Sequence, residues 1–192
     1  MNIVPYPRMI IFPDKERGER TVDLCGFDRV IFASSDADTA AVGNRVEQLF
    51  GADDGADEII RETADDGRCA VVFVSKDHAA EHADDISGTI SGLIDEAGAG
   101  EGDKHAQGYV LSISERAIVV RANDPDGVFY GLTTLLQISE SEGHENIPVC
   151  VIDDWPQIQV RGHFDDISRK RISTLDDFRM IIRELGMYKI NY

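Results

Sequence analysis

The stretch from Ile147 to Tyr192 constrains the fold more than any other part of this chain. It reads IPVCVIDDWPQIQVRGHFDDISRKRISTLDDFRMIIRELGMYKINY. The pattern is a short strand, a Trp155-Pro156 corner, a second strand through Val160 and Gly162, an amphipathic helix and the start of a third strand at Lys189-Ile190-Asn191-Tyr192. Ser173 or Thr174 caps the helix, and Asp176 and Asp177 occupy its first turn, where negative charge suits the helix dipole. Leu175, Phe178, Ile181, Ile182 and Leu185 form its apolar face. Strand, helix and new strand in this order open a βα barrel, which repeats the unit eight times. The expectation is an accessory domain over 1–152, then the first strand-helix unit of a truncated TIM barrel over 153–192. Chemistry performed by later units would then lie beyond Tyr192.

The preceding residues predict a small α+β layer, a sheet with helices on one face. Tyr109–Ile113 and Ala117–Arg121 flank Ser114-Glu115-Arg116 and read as a β-hairpin. Asn123 or Asp124 then caps a helix that carries Val128, Leu132, Leu135, Leu136 and Ile138 on one stripe, with Gly143 and Pro148 bracketing its exit. Val30-Ile31-Phe32-Ala33 and Ala70-Val71-Val72-Phe73-Val74 read as strands. Val42, Val46, Leu49 and Phe50 fall at helical spacing. A short helix is expected around Glu58 to Thr63, and a variable acidic insertion over 77–107.

Charge excludes some partners. The 192 residues hold 36 acidic and 19 basic side chains, a net of −17. Such a surface repels nucleic acid and anionic membranes, so neither is expected as a partner. An acidic solvated face accounts for the charge, and so does adaptation to high salt. No basic region followed by an apolar core marks a signal peptide, which leaves the cytoplasm as the default location. Cys25, Cys69 and Cys150 sit beside apolar residues and read as buried reduced thiols. No Cys/His spacing suggests zinc, and no cofactor motif is visible.

Several residues invite a chemical role. Arg161 lies in the second predicted strand. An arginine there either enters a structural ion pair, with Asp165, Asp166 or another acid, or faces a site. Asp165-Asp166 cannot both meet one atom, because neighbours on a strand point to opposite faces. Salt bridging to Arg169 or capping of a turn is the expected use. Asp153-Asp154 reads as turn chemistry before Trp155-Pro156. His78 and His82 have metal-chelating spacing but no third ligand, and His163 suggests packing or support of a neighbouring site residue, not catalysis.

Ala122-Asn123-Asp124-Pro125-Asp126-Gly127-Val128-Phe129-Tyr130-Gly131-Leu132-Thr133-Thr134-Leu135-Leu136-Gln137 resembles the helix motif of the small domain in glycoside hydrolase family 20, the β-N-acetylhexosaminidases. Ile152-Asp153-Asp154-Trp155-Pro156, Val160-Arg161-Gly162 and Asp166-Ile167-Ser168-Arg169 resemble the family's approach to its barrel. Tyr188-Lys189-Ile190-Asn191 resembles its second strand, and Val4-Pro5-Tyr6-Pro7 its opening. The resemblance is strong over 109–192 and weak over 50–107. It implies removal of terminal N-acetylglucosamine or N-acetylgalactosamine from glycans, with the substrate's acetamido oxygen attacking the anomeric carbon. It implies an Asp-Glu catalytic pair further along the barrel, so no catalytic residue is assigned here and this chain alone is expected to be inactive. It also implies that Arg161 binds sugar hydroxyls, replacing the ion-pair reading for that residue. A non-catalytic carbohydrate-binding or interaction module is the alternative, as is the small domain of another barrel glycosidase such as a family 84 hexosaminidase or an α-glucuronidase. An unfinished barrel unit would expose an apolar helix face, so the helix is expected either to pack back on the small domain or to self-associate.

Overall fold

A computed structural model describes residues 1–13, 20–33, 45, 46, 48, 49, 58–62, 69–75, 100–166, 168 and 172–192. Its strands in chain order are β1 (Met9–Ile11), β2 (Thr21–Val22), β3 (Phe27–Ala33), β4 (Glu58–Glu62), β5 (Cys69–Ser75), β6 (Tyr109–Ile113), β7 (Ala117–Ala122), β8 (Ile147–Pro148) and β9 (Cys150–Asp154). Among the described residues the long helices are α1 (Pro125–Glu142) and α2 (Leu175–Met187).

The hairpin forms as its sequence dictates. β6 and β7 pair antiparallel from Tyr109 opposite Ala122 to Ile113 opposite Ile118. The Ser114 hydroxyl closes the turn by donating to the Ala117 carbonyl at 2.8 Å. The hairpin is the middle of a seven-stranded sheet ordered β1-β9-β6-β7-β5-β3-β4, while β2 and β8 make a separate small ribbon. Within the large sheet every pairing is antiparallel except β3 with β4. That parallel pair corrects the expected helix around Glu58. Ile59 and Ile60 lie beside Val30 and Ile31 of β3. Two adjacent β-branched residues next to an open sheet edge gain more from pairing than from one isolated helical turn.

Alternation along the strands puts Tyr109, Leu111, Ile113, Ile118, Val120, Cys150 and Ile152 into one core cluster with α1. Asp124 caps α1, accepting from the Gly127 amide at 2.8 Å, and Gly143 ends it at φ 87°, a conformation glycine adopts without a Cβ penalty. Leu132, Leu135 and Ile138 are fully buried, each worth roughly 1.5–3 kcal/mol. Gly131 brings the helix close to the hairpin, since a Cβ there would run into Val120 and the Tyr109 ring. Arg45, Val46, Gln48 and Leu49 are helical. Val46 and Leu49 join the same cluster, and the Arg45 guanidinium lies 4.7 Å from the Phe129 ring centroid, so this segment shares the α1 side of the sheet.

On the opposite face, a short 3-10 turn (Gly102–Lys104) covers the centre of the sheet, and Asp103 pairs with Arg121 of β7 at 2.7 Å. The acidic insertion falls outside the described residues from 76 to 99.

The C-terminal part forms its helix as expected. Thr174 and Asp177 make a reciprocal capping box at the start of α2. The flanking strands form only in outline. Tyr192 donates to the Arg161 carbonyl at 3.0 Å, and the His163 amide donates to the Tyr192 carbonyl at 2.8 Å. That is the bond pattern of one parallel pair, Gly162 beside Tyr192. No residue of α2 is buried, and Leu175, Met180 and Ile182 are exposed. Met187 at the end of the helix touches the core cluster, but the expected packing of the apolar face as a whole onto the small domain does not occur.

Candidate functional site

The end of β9 places two carboxylates on opposite sides of the sheet, as strand alternation requires. Asp153 accepts from the Glu101 and Gly102 amides at 2.9 and 2.6 Å and holds the 3-10 turn on one face. Asp154 faces the other way. Its Oδ1 accepts from the Arg8 amide at 3.3 Å, and its Oδ2 accepts from the Tyr109 hydroxyl and the Lys189 ammonium, each at 3.3 Å. Both carboxylates are buried. They are architectural, which corrects the expectation of turn chemistry.

Lys189 leaves α2 with φ 57° and turns its side chain inward, so the residue is only 4% exposed. Its ammonium donates to the Tyr109 hydroxyl at 2.9 Å, and that hydroxyl lies 2.6 Å from the Thr134 hydroxyl of α1. Burial pulls the lysine pKa down, opposed by the attraction of Asp154. Burial pushes the Tyr109 phenol well above its ordinary range, and the Asp154 charge adds to that. A buried charge this far from water requires such partners.

Arg161 stands beside this cluster, half-buried and turned toward the small domain. Its Nε donates to the Lys189 carbonyl at 2.8 Å. Its Nη1 donates to the carbonyls of Ile158 and Gln159 at 2.6 and 3.2 Å and to Gln107 Oε1 at 3.0 Å. The guanidinium carbon lies 5.3 Å from the Tyr130 ring centroid. These partners are neutral, so the ion pair with Asp165 or Asp166 that spacing allowed is not made. Asn191 supports the same corner: its side chain accepts from the Arg161 amide at 2.9 Å and donates to the Gln159 carbonyl at 2.8 Å. Arg161, Tyr109, Tyr130, Asp154, Trp155 and Lys189 face a cavity of about 430 Å³, within the range of small-molecule sites. The Trp155 ring is already engaged, stacked on His105 at 4.9 Å and approached by the Arg8 guanidinium at 4.6 Å. A larger opening of about 650 Å³ lies between α1, α2 and the N-terminal segment. It sets Arg45 and Arg183 against Glu140 and Glu184 and gathers none of the sequence candidates.

The remaining candidates disperse. Asp165, Asp166 and His163 are exposed. Asp166 accepts from the Ser168 amide at 2.9 Å, which is the expected turn capping. The serine hydroxyl, followed by that amide bond, holds its pKa below the usual value. His78 and His82 lie outside the described residues. Among the described residues no cluster of three metal-binding side chains occurs, and no helix is long and apolar enough to cross a membrane. Cys150 is buried as expected, whereas Cys25 sits exposed in a 3-10 turn, contrary to its expected burial. Sequence reasoning missed Lys189, Tyr109 and Gln107. Only the fold reveals that a lysine at a helix exit reaches a hairpin tyrosine 80 residues earlier.

The model of glycosyl hydrolase family 20, domain 2, matches residues 1–155. The chain belongs to this family. The family 20 match ends just after β9, whose last residue is Asp154. A β-hexosaminidase from Porphyromonas gingivalis is 30% identical over 93 residues, covering 44% of this chain and 12% of that protein. An N,N'-diacetylchitobiase from Vibrio harveyi is 28% identical over 83 residues, covering 43% of this chain and 9% of that protein. The crystal structure of a β-N-acetylhexosaminidase from Bacteroides fragilis superposes with a TM-score of 0.62 at 20% identity, covering 99% of this chain and 31% of the other. The chain thus spans about an eighth or less of these two curated relatives and under a third of the solved one.

Proposed function

We propose that this chain is the N-terminal part of a β-N-acetylhexosaminidase: a small accessory domain followed by the first strand-helix unit of the catalytic barrel. The supporting observation lies just past the matched domain. A Gly162–Tyr192 parallel pair encloses the capped, amphipathic α2. Parallel neighbours require a crossover of this kind, and a helix is its usual form. The exposed apolar side chains of α2 then face the positions that further barrel units would take.

On this reading the substrate is a glycan ending in N-acetylglucosamine or N-acetylgalactosamine. Cleavage retains configuration because the acetamido group, not an enzyme carboxylate, attacks the anomeric carbon. The protein's Asp-Glu pair lies in a later unit, and this chain contributes binding through Arg161. A guanidinium positioned by neutral carbonyls through Nε and Nη1 retains Nη2 to donate to sugar hydroxyls, with Asp126 near enough to interact with its charge. The carbohydrate-binding-module alternative is disfavoured by Trp155, whose ring is engaged by His105 and Arg8 instead of offering a bare platform.

The test compares hydrolysis of p-nitrophenyl N-acetyl-β-glucosaminide by the 192-residue chain with that by the gene product extended past Tyr192. Activity is expected only in the longer protein. There, Arg161→Ala should lower kcat/KM by roughly 10–100-fold, the loss of one charged hydrogen bond. An inactive longer protein, or an active short one, overturns the proposal.

A further inference from the structure

Lys189 joins two things that sequence keeps apart. Its ammonium is held in the small domain by Tyr109 and Asp154, at 2.9 and 3.3 Å. Its backbone carbonyl, three bonds from the same Cβ, accepts from Arg161 Nε at 2.8 Å. Tyr109 is itself fixed, fully buried and within 2.6 Å of Thr134 on α1. Asp154 is the last residue of β9, paired opposite Tyr109 in the sheet. The lysine backbone sits at φ 57°, a left-handed conformation uncommon in a residue other than glycine and retained where surrounding contacts over-determine it. A flexible lysine would ordinarily stay in water, because burial costs side-chain entropy and desolvation. Here both ends of the residue are engaged at once.

We propose that Lys189 is a positioning residue for Arg161. The buried Tyr109–Asp154 pair of the accessory domain anchors the ammonium, and the anchored backbone sets where the guanidinium stands in the 430 Å³ cavity. The accessory domain thereby takes part in sugar binding without touching sugar. This rests on the reading of Arg161 as a sugar-binding residue. The ammonium has a second consequence for its neighbour: two cations face one cavity wall, so carboxylate and hydroxyl acceptors at Asp154 and Tyr109 are needed to let Arg161 stand there.

The experiment is side-chain NMR of the arginine Nε–H groups in the 192-residue chain, recorded without sugar. Arg121, paired with Asp103 on the far side of the sheet, serves as the internal control for folding. In wild type the Arg161 Nε–H, which donates to the Lys189 carbonyl, is expected to exchange slowly. In Lys189→Met its exchange should accelerate roughly tenfold or more with Arg121 unchanged. Unchanged Arg161 exchange beside an intact Arg121 signal overturns the proposal. Should Lys189→Met lose the Arg121 signal as well, Tyr109→Phe decides, because it removes one oxygen from the anchor and keeps the ion pair. Faster Arg161 exchange in that variant supports the proposal, and wild-type exchange overturns it. A separate titration of the gene product extended past Tyr192 with N-acetylglucosamine, comparing wild type with Arg161→Ala, tests the sugar-binding reading. Its failure is thus distinguishable from failure of the Lys189 dependence.

Discussion

Single side chains in this protein are governed by which face of a strand they occupy. Asp153 and Asp154 are neighbours in sequence, yet one binds amides of the 3-10 turn and the other a lysine ammonium. Cys150 shows the same control. It lies on the core face of β9, and burial alone pushes its thiol up to about 12. Its thiolate fraction at pH 8 is then on the order of one in ten thousand. Cys25 is exposed. Iodoacetamide at pH 8 followed by peptide mass analysis should therefore modify Cys25 rapidly and Cys150 only in denaturant. Equal labelling of both in the native protein would contradict the placement of β9.

At the level of elements, α2 owes its start to local chemistry and nothing to the core. Thr174 accepts from the Asp177 amide at 3.2 Å, while Asp177 accepts from the Thr174 amide and hydroxyl at 2.8 and 2.7 Å. These bonds hold the Asp177 carboxyl below its ordinary value of 3.8. A depressed folded pKa means the stabilisation is complete above the unfolded value and is lost as pH falls through the lower, folded one. The first turn of α2 should therefore fray only below about pH 4, as read from amide shifts of residues 175–178. Thr174→Ala should produce the same fraying at neutral pH. Persistence of the first turn in that variant would show that tertiary contacts hold α2. By contrast α1 has twelve buried residues between Gly127 and Ser139 and is held by packing along its length.

Across the whole molecule, a net charge of −17 and an exposed apolar C-terminal surface oppose each other. Ile158, Val160, Phe164, Ile172, Leu175 and Ile182 are each at least 65% exposed, and patches of this kind promote association. Self-repulsion keeps copies apart in dilute buffer, where screening extends over roughly 30 Å at 0.01 M salt, and falls to about 3 Å at 1 M. Sedimentation velocity should show monomer at low salt and association in about 1 M KCl, with Ile182→Lys restoring the monomer. The melting temperature should rise over the same range. A salt-indifferent monomer would refute both the role of charge and that of the α2 face.

The hairpin and the long helices were legible in sequence, and each helix cap was legible to within one of two adjacent residues, because their causes are local. Alternating β-branched residues, a Ser-Glu-Arg turn, Asp124 before Pro125 and Thr174 before Asp177 need no distant partner to be read. The ordered motifs from Ala122 to Asn191 likewise pointed to the family that the match over 1–155 assigns. Tertiary structure alone decided the rest. Glu58–Glu62 became a strand because β3 offered it an edge, and Asp154, Tyr109 and Lys189 became a cluster because β9 and β6 lie side by side beneath the exit of α2. A period of hydrophobic residues specifies which face of an element is buried. It carries no information about which distant polar group will be buried opposite, since that depends on the three-dimensional meeting of segments far apart along the chain.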